Sequence, residues 1–148
     1  MSRPSWEEYW MKIALESSTR STCLRRKVGA VIVRENRLLS MGYNQMPSGI
    51  THCEEIGCLR ERLNVPSGQR HEICRAVHAE QNAIIIAAKN GASINNSSIF
   101  VTASPCLICG KMIINAGINE VLFKEQYPDE LTMEMFEEKG VKVKKLKF

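Results

Sequence analysis

Two short motifs, far apart in the chain, constrain this sequence more than anything else in it: His78-Ala79-Glu80 and Pro105-Cys106-Leu107-Ile108-Cys109. Each stands where a helix is expected to begin. Two cysteines three apart on a first helical turn can grip one ion from the same side, and thiolates with an imidazole are donors that suit zinc. The amino end of a helix also favours thiolates, because its unpaired N–H groups and dipole stabilise negative charge. If His78 joins Cys106 and Cys109, the two helix starts must meet in space, and the chain between them must fold to allow it. Three protein ligands leave a fourth position for water, the arrangement of a catalytic zinc that lowers the water's pKa towards neutrality. Glu80 would sit beside that water without ligating the metal and could move its protons. A lone Cys-x-x-Cys reads equally as a redox pair or half a zinc knuckle. The two motifs together are far more specific.

The rest of the chain supplies the elements to hold them. Ser5 and Glu8 form a capping box, and Trp6, Tyr9, Trp10, Ile13 and Ala14 recur at helical spacing, so a helix is expected over Trp6–Ser18. Val28–Arg34, a turn at Glu35-Asn36 and Arg37–Gly42 read as a hairpin. His78–Asn90 is helical and stopped by Gly91. Ser98–Thr102 is a strand, and Pro105 after a Ser104 cap opens a helix that runs to Asn115 before Gly117. Glu120–Lys124 is a strand, Asp129–Lys139 a helix ended by Gly140, and Val141–Leu146 a last strand. That order gives an α/β fold with a mixed sheet of about five strands covered by helices.

Between hairpin and second motif, residues 44–77 form a long insertion broken by Pro47, Gly49, Gly57, Pro66 and Gly68, with one short helix around Glu54–Leu63. Structureless loops of such length in a small domain are usually functional. At 148 residues the chain suits one domain, and 44% hydrophobic with 24% charged residues excludes a disordered polar tail. The net charge of +4 is carried largely by Lys142, Lys144, Lys145 and Lys147 and is too small to point to nucleic acid. Met1–Lys12 is polar where a signal peptide would need an apolar run, and the apolar stretch Ala83–Ala88 is too short to span a membrane. A cytoplasmic location is expected, so the six cysteines call for metal or catalytic roles before disulfides.

Further segments carry a resemblance: Arg26-Lys27-Val28-Gly29-Ala30-Val31, Gly42-Tyr43-Asn44 with Pro47-Ser48-Gly49, His78-Ala79-Glu80-Gln81-Asn82-Ala83, and Thr102-Ala103-Ser104-Pro105-Cys106 with Cys109. With them the chain resembles the cytidine deaminase superfamily, and within it the deoxycytidylate (dCMP) deaminases; His-x-Glu with Pro-Cys-x-x-Cys is the zinc-deaminase signature. The resemblance implies a cytidine-deaminase-like three-layer sandwich, a single deaminase domain over 1–148, hydrolysis of dCMP to dUMP and ammonia, and a homo-oligomer, a hexamer favoured. It implies that Asn44 holds the sugar, although Tyr43-Asn44 also reads as a hairpin cap, and that Ala79 and Ser104 present backbone to the pyrimidine edge. Arg26 and Lys27 are the candidates for the substrate phosphate, or else a solvated basic turn. Tyr127 either walls the pocket or belongs to a surface turn.

Several dCMP deaminases carry a second, structural zinc, and Cys23 and Cys53 match its cysteine positions. His71 and Cys74 would complete the set, with Cys58 or His52 as alternatives; ordinary buried thiols are the plain reading. Regulated members respond to dCTP and dTTP, with magnesium, through an aromatic and an arginine on the catalytic helix, where this chain has Ile86 and Lys89. The rival readings are another deaminase of the superfamily, such as a tRNA adenosine deaminase, and a non-catalytic zinc protein of the same fold. Glu80 argues against the latter, because a structural site needs no carboxylate there.

Overall fold

The computed structural model describes residues 2–148, so Met1, the first residue of the polar amino-terminal stretch, lies outside the described residues. Helix α1 (Trp6–Ser18) is capped by Ser5, whose hydroxyl accepts from Glu8 N at 3.1 Å. Strands β1 (Gly29–Arg34) and β2 (Arg37–Tyr43) pair antiparallel. They turn on Glu35 and Asn36, both with positive φ, the backbone twist that two-residue hairpins favour. After the insertion come α4 (Ala79–Lys89), β3 (Ser97–Val101), α5 (Leu107–Asn115), β4 (Ile118–Phe123), α6 (Glu130–Lys139) and β5 (Lys142–Lys145).

The five strands form one sheet in the order β2-β1-β3-β4-β5. β1 pairs antiparallel with β3, and β3, β4 and β5 run parallel. Strand side chains alternate between faces, and burial follows that alternation. Val31, Val33, Phe100 and Leu122 pack with Trp10, Met11 and Ala14 of α1 on one side. Ala30, Ile32, Ile99, Val101, Val121 and Phe123 pack on the other with Ala79, Ala83 and Ala87 of α4, Ile113 of α5 and Phe136 of α6. The result is the expected three-layer sandwich with its mixed five-stranded sheet. Its last strand is an edge bearing exposed Lys142 and Lys144, so the lysine-rich end protects an open sheet edge as well as adding charge.

Two glycines set how closely helices approach the sheet. At Gly29 a Cβ would overlap the Ala14 carbonyl of α1. At Gly42 it would lie 2.7 Å from Ala83 N and 2.8 Å from Ala79 O of α4. Side chains then lock α4 to β2: Ser40 Oγ donates to Ala83 O at 2.6 Å, and Asn82 Nδ2 to Tyr43 O at 2.8 Å.

The structure corrects the expected helix at Glu54–Leu63. There are two single turns, α2 (Cys53–Ile56) and α3 (Leu59–Arg62), separated at Gly57, whose φ of +89° cannot continue a helix. A 3-10 turn follows at His71–Ile73. The insertion is fastened at its end by Gln45 and Val77, which exchange backbone hydrogen bonds of 3.0 and 2.7 Å.

Candidate metal and catalytic site

The starts of α4 and α5 meet. His78 is the cap residue of α4, with extended backbone, and its N–H is held by Gln81 Oε1 at 2.9 Å. At α5 the boundary differs from expectation. Cys106, not Ser104, is the cap, because its backbone is extended and its carbonyl accepts the first helical bond, from Gly110 N at 2.8 Å. Pro105 and Ser104 therefore precede the helix, while Cys109 lies on its first turn. His78 Nδ1 stands 3.2 Å from Cys109 Sγ and 3.6 Å from Cys106 Sγ. Zinc bonds of about 2.3 Å to sulfur and 2.0 Å to nitrogen, at tetrahedral angles, place such donors about 3.6 Å apart. The three donors fit zinc in both chemistry and spacing.

The electrostatics agree with a cation site. A hydrogen bond from Cys109 holds the Cys106 thiol down to about 3, against the cost of its burial. Cys109 is pushed up by the same shared bond and by burial. Burial works against charge on His78, yet its hydrogen bonds to Cys106 and Cys74 raise it to about 10. Glu80, only 4% exposed, is pushed up to about 7 by burial, with His78 opposing. A carboxyl poised near neutrality can both accept and return a proton.

These groups open into a cavity of about 610 Å³, lined also by Asn44, Ala79, Ser104, Arg26 and Tyr127. Asn44 is buried and ties the strand entrance together. Its Nδ2 donates to Arg26 O at 2.7 Å and its Oδ1 accepts from Val28 N at 2.9 Å. One N–H and one lone pair of that amide stay free for a ligand. Tyr127 packs edge-on against Phe123 with ring centroids 5.2 Å apart. Arg26 is paired with Glu125. Lys27 is exposed and is not among the cavity's lining residues, so the structure gives that expected phosphate contact no place.

Two arginines that sequence reading missed do line the cavity. Arg60 is 8% exposed with its Nε buried and unpartnered; Arg25 donates from Nη2 to Val65 O at 2.9 Å and leaves Nη1 buried and unpartnered. Nothing in their spacing marks them, since arginines in a polar loop usually face solvent.

The expected second metal set separates. His71 lies in the catalytic cluster, the donor atoms of His71, His78 and Cys106 all being within 4.8 Å of one another, and the insertion's Cys74 reaches that cluster too through a hydrogen bond with His78. The 3-10 turn accounts for this, as it folds the chain between His71 and Cys74 back on itself. Around buried Cys53, burial first and then the charges of Cys23, Cys74 and Cys58 push the thiol up, although no three of these sulfurs lie within 4.8 Å of one another among the described residues. His52 instead meets Thr22 Oγ1 at 3.1 Å.

A profile of the cytidine and deoxycytidylate deaminase zinc-binding region matches residues 4–125. The chain belongs to this family. Among its relatives, the deoxycytidylate deaminase of Saccharomyces cerevisiae is 36% identical over 99% of this chain. The chain spans 46% of that relative's length and 44% of the corresponding Schizosaccharomyces pombe protein's. ComE operon protein 2 of Bacillus subtilis is 39% identical over 99% of this chain and 74% of its own length. The dCMP deaminase of cyanophage S-TIM5, solved in complex with dCMP and dUMP, superposes with a TM-score of 0.78 at 35% identity, covering 99% of this chain and all of that one. As a deaminase-family chain it has, among the described residues, no helix long and apolar enough to cross a membrane.

Proposed function

We propose that this chain hydrolyses dCMP to dUMP and ammonia, with His78, Cys106 and Cys109 holding zinc and Glu80 moving the protons. One observation carries the reading: a buried carboxyl adjoins a three-donor cluster of the kind that binds zinc and leaves a position open. The names of the yeast and phage relatives support the choice of substrate.

Bound zinc would bring the ionisation of a water near neutral pH. Glu80 accepts that proton and delivers it to the pyrimidine ring nitrogen beside the amino-bearing carbon. As it does so, the water's oxygen bonds to the amino-bearing carbon; Glu80 then takes the proton left on that oxygen and passes it to the amino group, the C–O double bond forms and the C–N bond breaks, releasing ammonia. Backbone at Ala79 and Ser104 reads the pyrimidine edge, and the free donor and acceptor of Asn44 take the sugar hydroxyl. For the phosphate, Arg60 Nε and Arg25 Nη1, each buried and without a partner, are better suited than exposed Lys27 or the exposed Arg26–Glu125 pair, although Arg25 also meets Glu61 at 3.9 Å.

A second zinc on Cys23, Cys53, Cys58 and Cys74 would order the insertion. Two zinc ions per chain, falling to one in Cys53→Ser, is the expected stoichiometry. We place the protein in the cytoplasm as a homo-oligomer. The deciding assay follows ammonia release from dCMP, CMP, dCTP, deoxycytidine and a tRNA anticodon stem, with Glu80→Ala as control. Turnover of dCMP above the rest, lost in the variant, is expected; turnover of tRNA alone would make it an editing enzyme. Silence on all five with zinc bound would leave a non-catalytic zinc protein.

A further inference from the structure

His71 sits in the catalytic cluster, yet the proposed reaction gives it nothing to do. Its ring meets that of His78 edge-on, with centroids 5.3 Å apart at 77°. Packing alone explains that contact poorly, because it leaves His71 Nδ1 buried and without a hydrogen-bond partner. A buried nitrogen without a partner is costly, and a cation would satisfy it. Its donor lies within 4.8 Å of those of His78 and Cys106, where ligands of one tetrahedral ion stand about 3.6 Å apart. The shortfall is about 1 Å, within reach of a side-chain rotation. Cys109, 3.2 Å from His78, is not among the three donors sharing that neighbourhood, so the His71 ring stands at the rim of the coordination shell rather than inside it.

Its support is light. A single 3-10 turn carries it, following Arg70 at φ +52°, and is held by Cys74 N donating to His71 O at 3.1 Å and by the exposed Arg70–Glu72 pair. His71 also lines the cavity shared by Asn44, Ser104 and Tyr127, so a nucleotide entering there competes with the ring for space.

We propose that His71 is a fourth, displaceable protein ligand of the metal held by His78, Cys106 and Cys109. With His71 on the ion the site has four protein ligands and is closed in the manner of a structural zinc. It opens when the nucleotide moves the insertion's 3-10 turn aside. The exchange would break one metal–imidazole bond and let a water take its place on the ion. The proposal rests on the zinc reading above, and the test separates the two.

The full chain, labelled with nitrogen-15 and loaded with cadmium-113, suits the measurement, because its three histidines, His52, His71 and His78, give few ring signals. His71→Gln identifies the His71 resonance by its loss. Without nucleotide, ring nitrogens of both His71 and His78 should couple to one cadmium; with saturating dUMP the His71 coupling should vanish and that of His78 persist. An uncoupled His71, one coupled to a different cadmium from His78, or a coupling that survives dUMP overturns the proposal. An uncoupled His78 overturns the zinc reading instead. His71→Gln should also bind dUMP about tenfold more tightly, because the open state no longer has to be drawn from a closed majority. Unchanged or weaker binding would mean that His71 does not compete with the nucleotide.

Discussion

Gly42→Ala tests whether the sheet itself positions the catalytic residues. Gly42 lies in β2 under the first turns of α4, where an added Cβ would sit 2.7 Å from Ala83 N, 2.8 Å from Ala79 O and 3.0 Å from Asn82 Cβ. Two of the three contacts are backbone, which cannot rotate away. Relieving them to ordinary contact requires α4 to withdraw by about 0.6 Å, in an interior packed too densely to absorb it. Overpacking of this kind costs about 1–3 kcal/mol. The upper half applies, because the withdrawal also stretches the Ser40–Ala83 and Asn82–Tyr43 hydrogen bonds. A chain of this length loses about 3 °C of melting temperature per kcal/mol, so a drop of about 6–9 °C is expected by circular dichroism. Ala79 and Glu80 ride on the displaced turn. A misplacement of about 1 Å can cost a factor of about 100 in rate, so kcat on dCMP should fall by about tenfold or more. Gly140→Ala is the control. Its φ of +87° is strained for alanine but nothing lies within 4 Å of the added carbon, so it should lose about 1 kcal/mol and keep its rate. If Gly42→Ala melts within about 2 °C of the wild type at full rate, the close approach of α4 to β2 is wrong.

Other expectations follow from the same geometry. Glu80→Gln should keep its zinc, because the carboxylate is not a ligand, and lose a factor of about 100–10,000 in kcat; zinc analysis beside initial rates checks both halves. Arg60→Gln should raise KM for dCMP by about 10–100-fold, the worth of a charged hydrogen bond, while leaving deoxycytidine turnover nearly unchanged. An equal loss on both substrates would remove Arg60 from the phosphate. Zinc affinity should rise with pH, because His78, raised to about 10, and Cys109, also raised, must shed protons to ligate, whereas Cys106, near 3, is already a thiolate at neutral pH. Competition titrations across about pH 6–8 measure it, and a flat profile would refute the ligand assignment.

The sandwich and the His78–Cys106–Cys109–Glu80 constellation were legible because both depend on local pattern. Period-two burial in β1 separates Val31 and Val33 from Ala30 and Ile32 onto opposite faces, and each motif keeps its spacing on a helix start whatever surrounds it. A two-residue error at α5 survived that logic: Pro105 after Ser104 is a good opening in sequence, but the cap fell to Cys106. The insertion was different. His71 and Cys74 are three apart, a spacing that suits one structural metal, but the 3-10 turn brings His71 towards His78, and Cys74 hydrogen-bonds to the same His78 ring. Arg25 and Arg60 likewise became candidate ligand groups only through burial, which loop sequence does not encode by periodicity. Within this fold the scaffold that holds the chemistry is written in repeating patterns. The residues that would choose and admit the substrate are fixed by tertiary contacts of the insertion, so a substitution there can change specificity while leaving every motif intact.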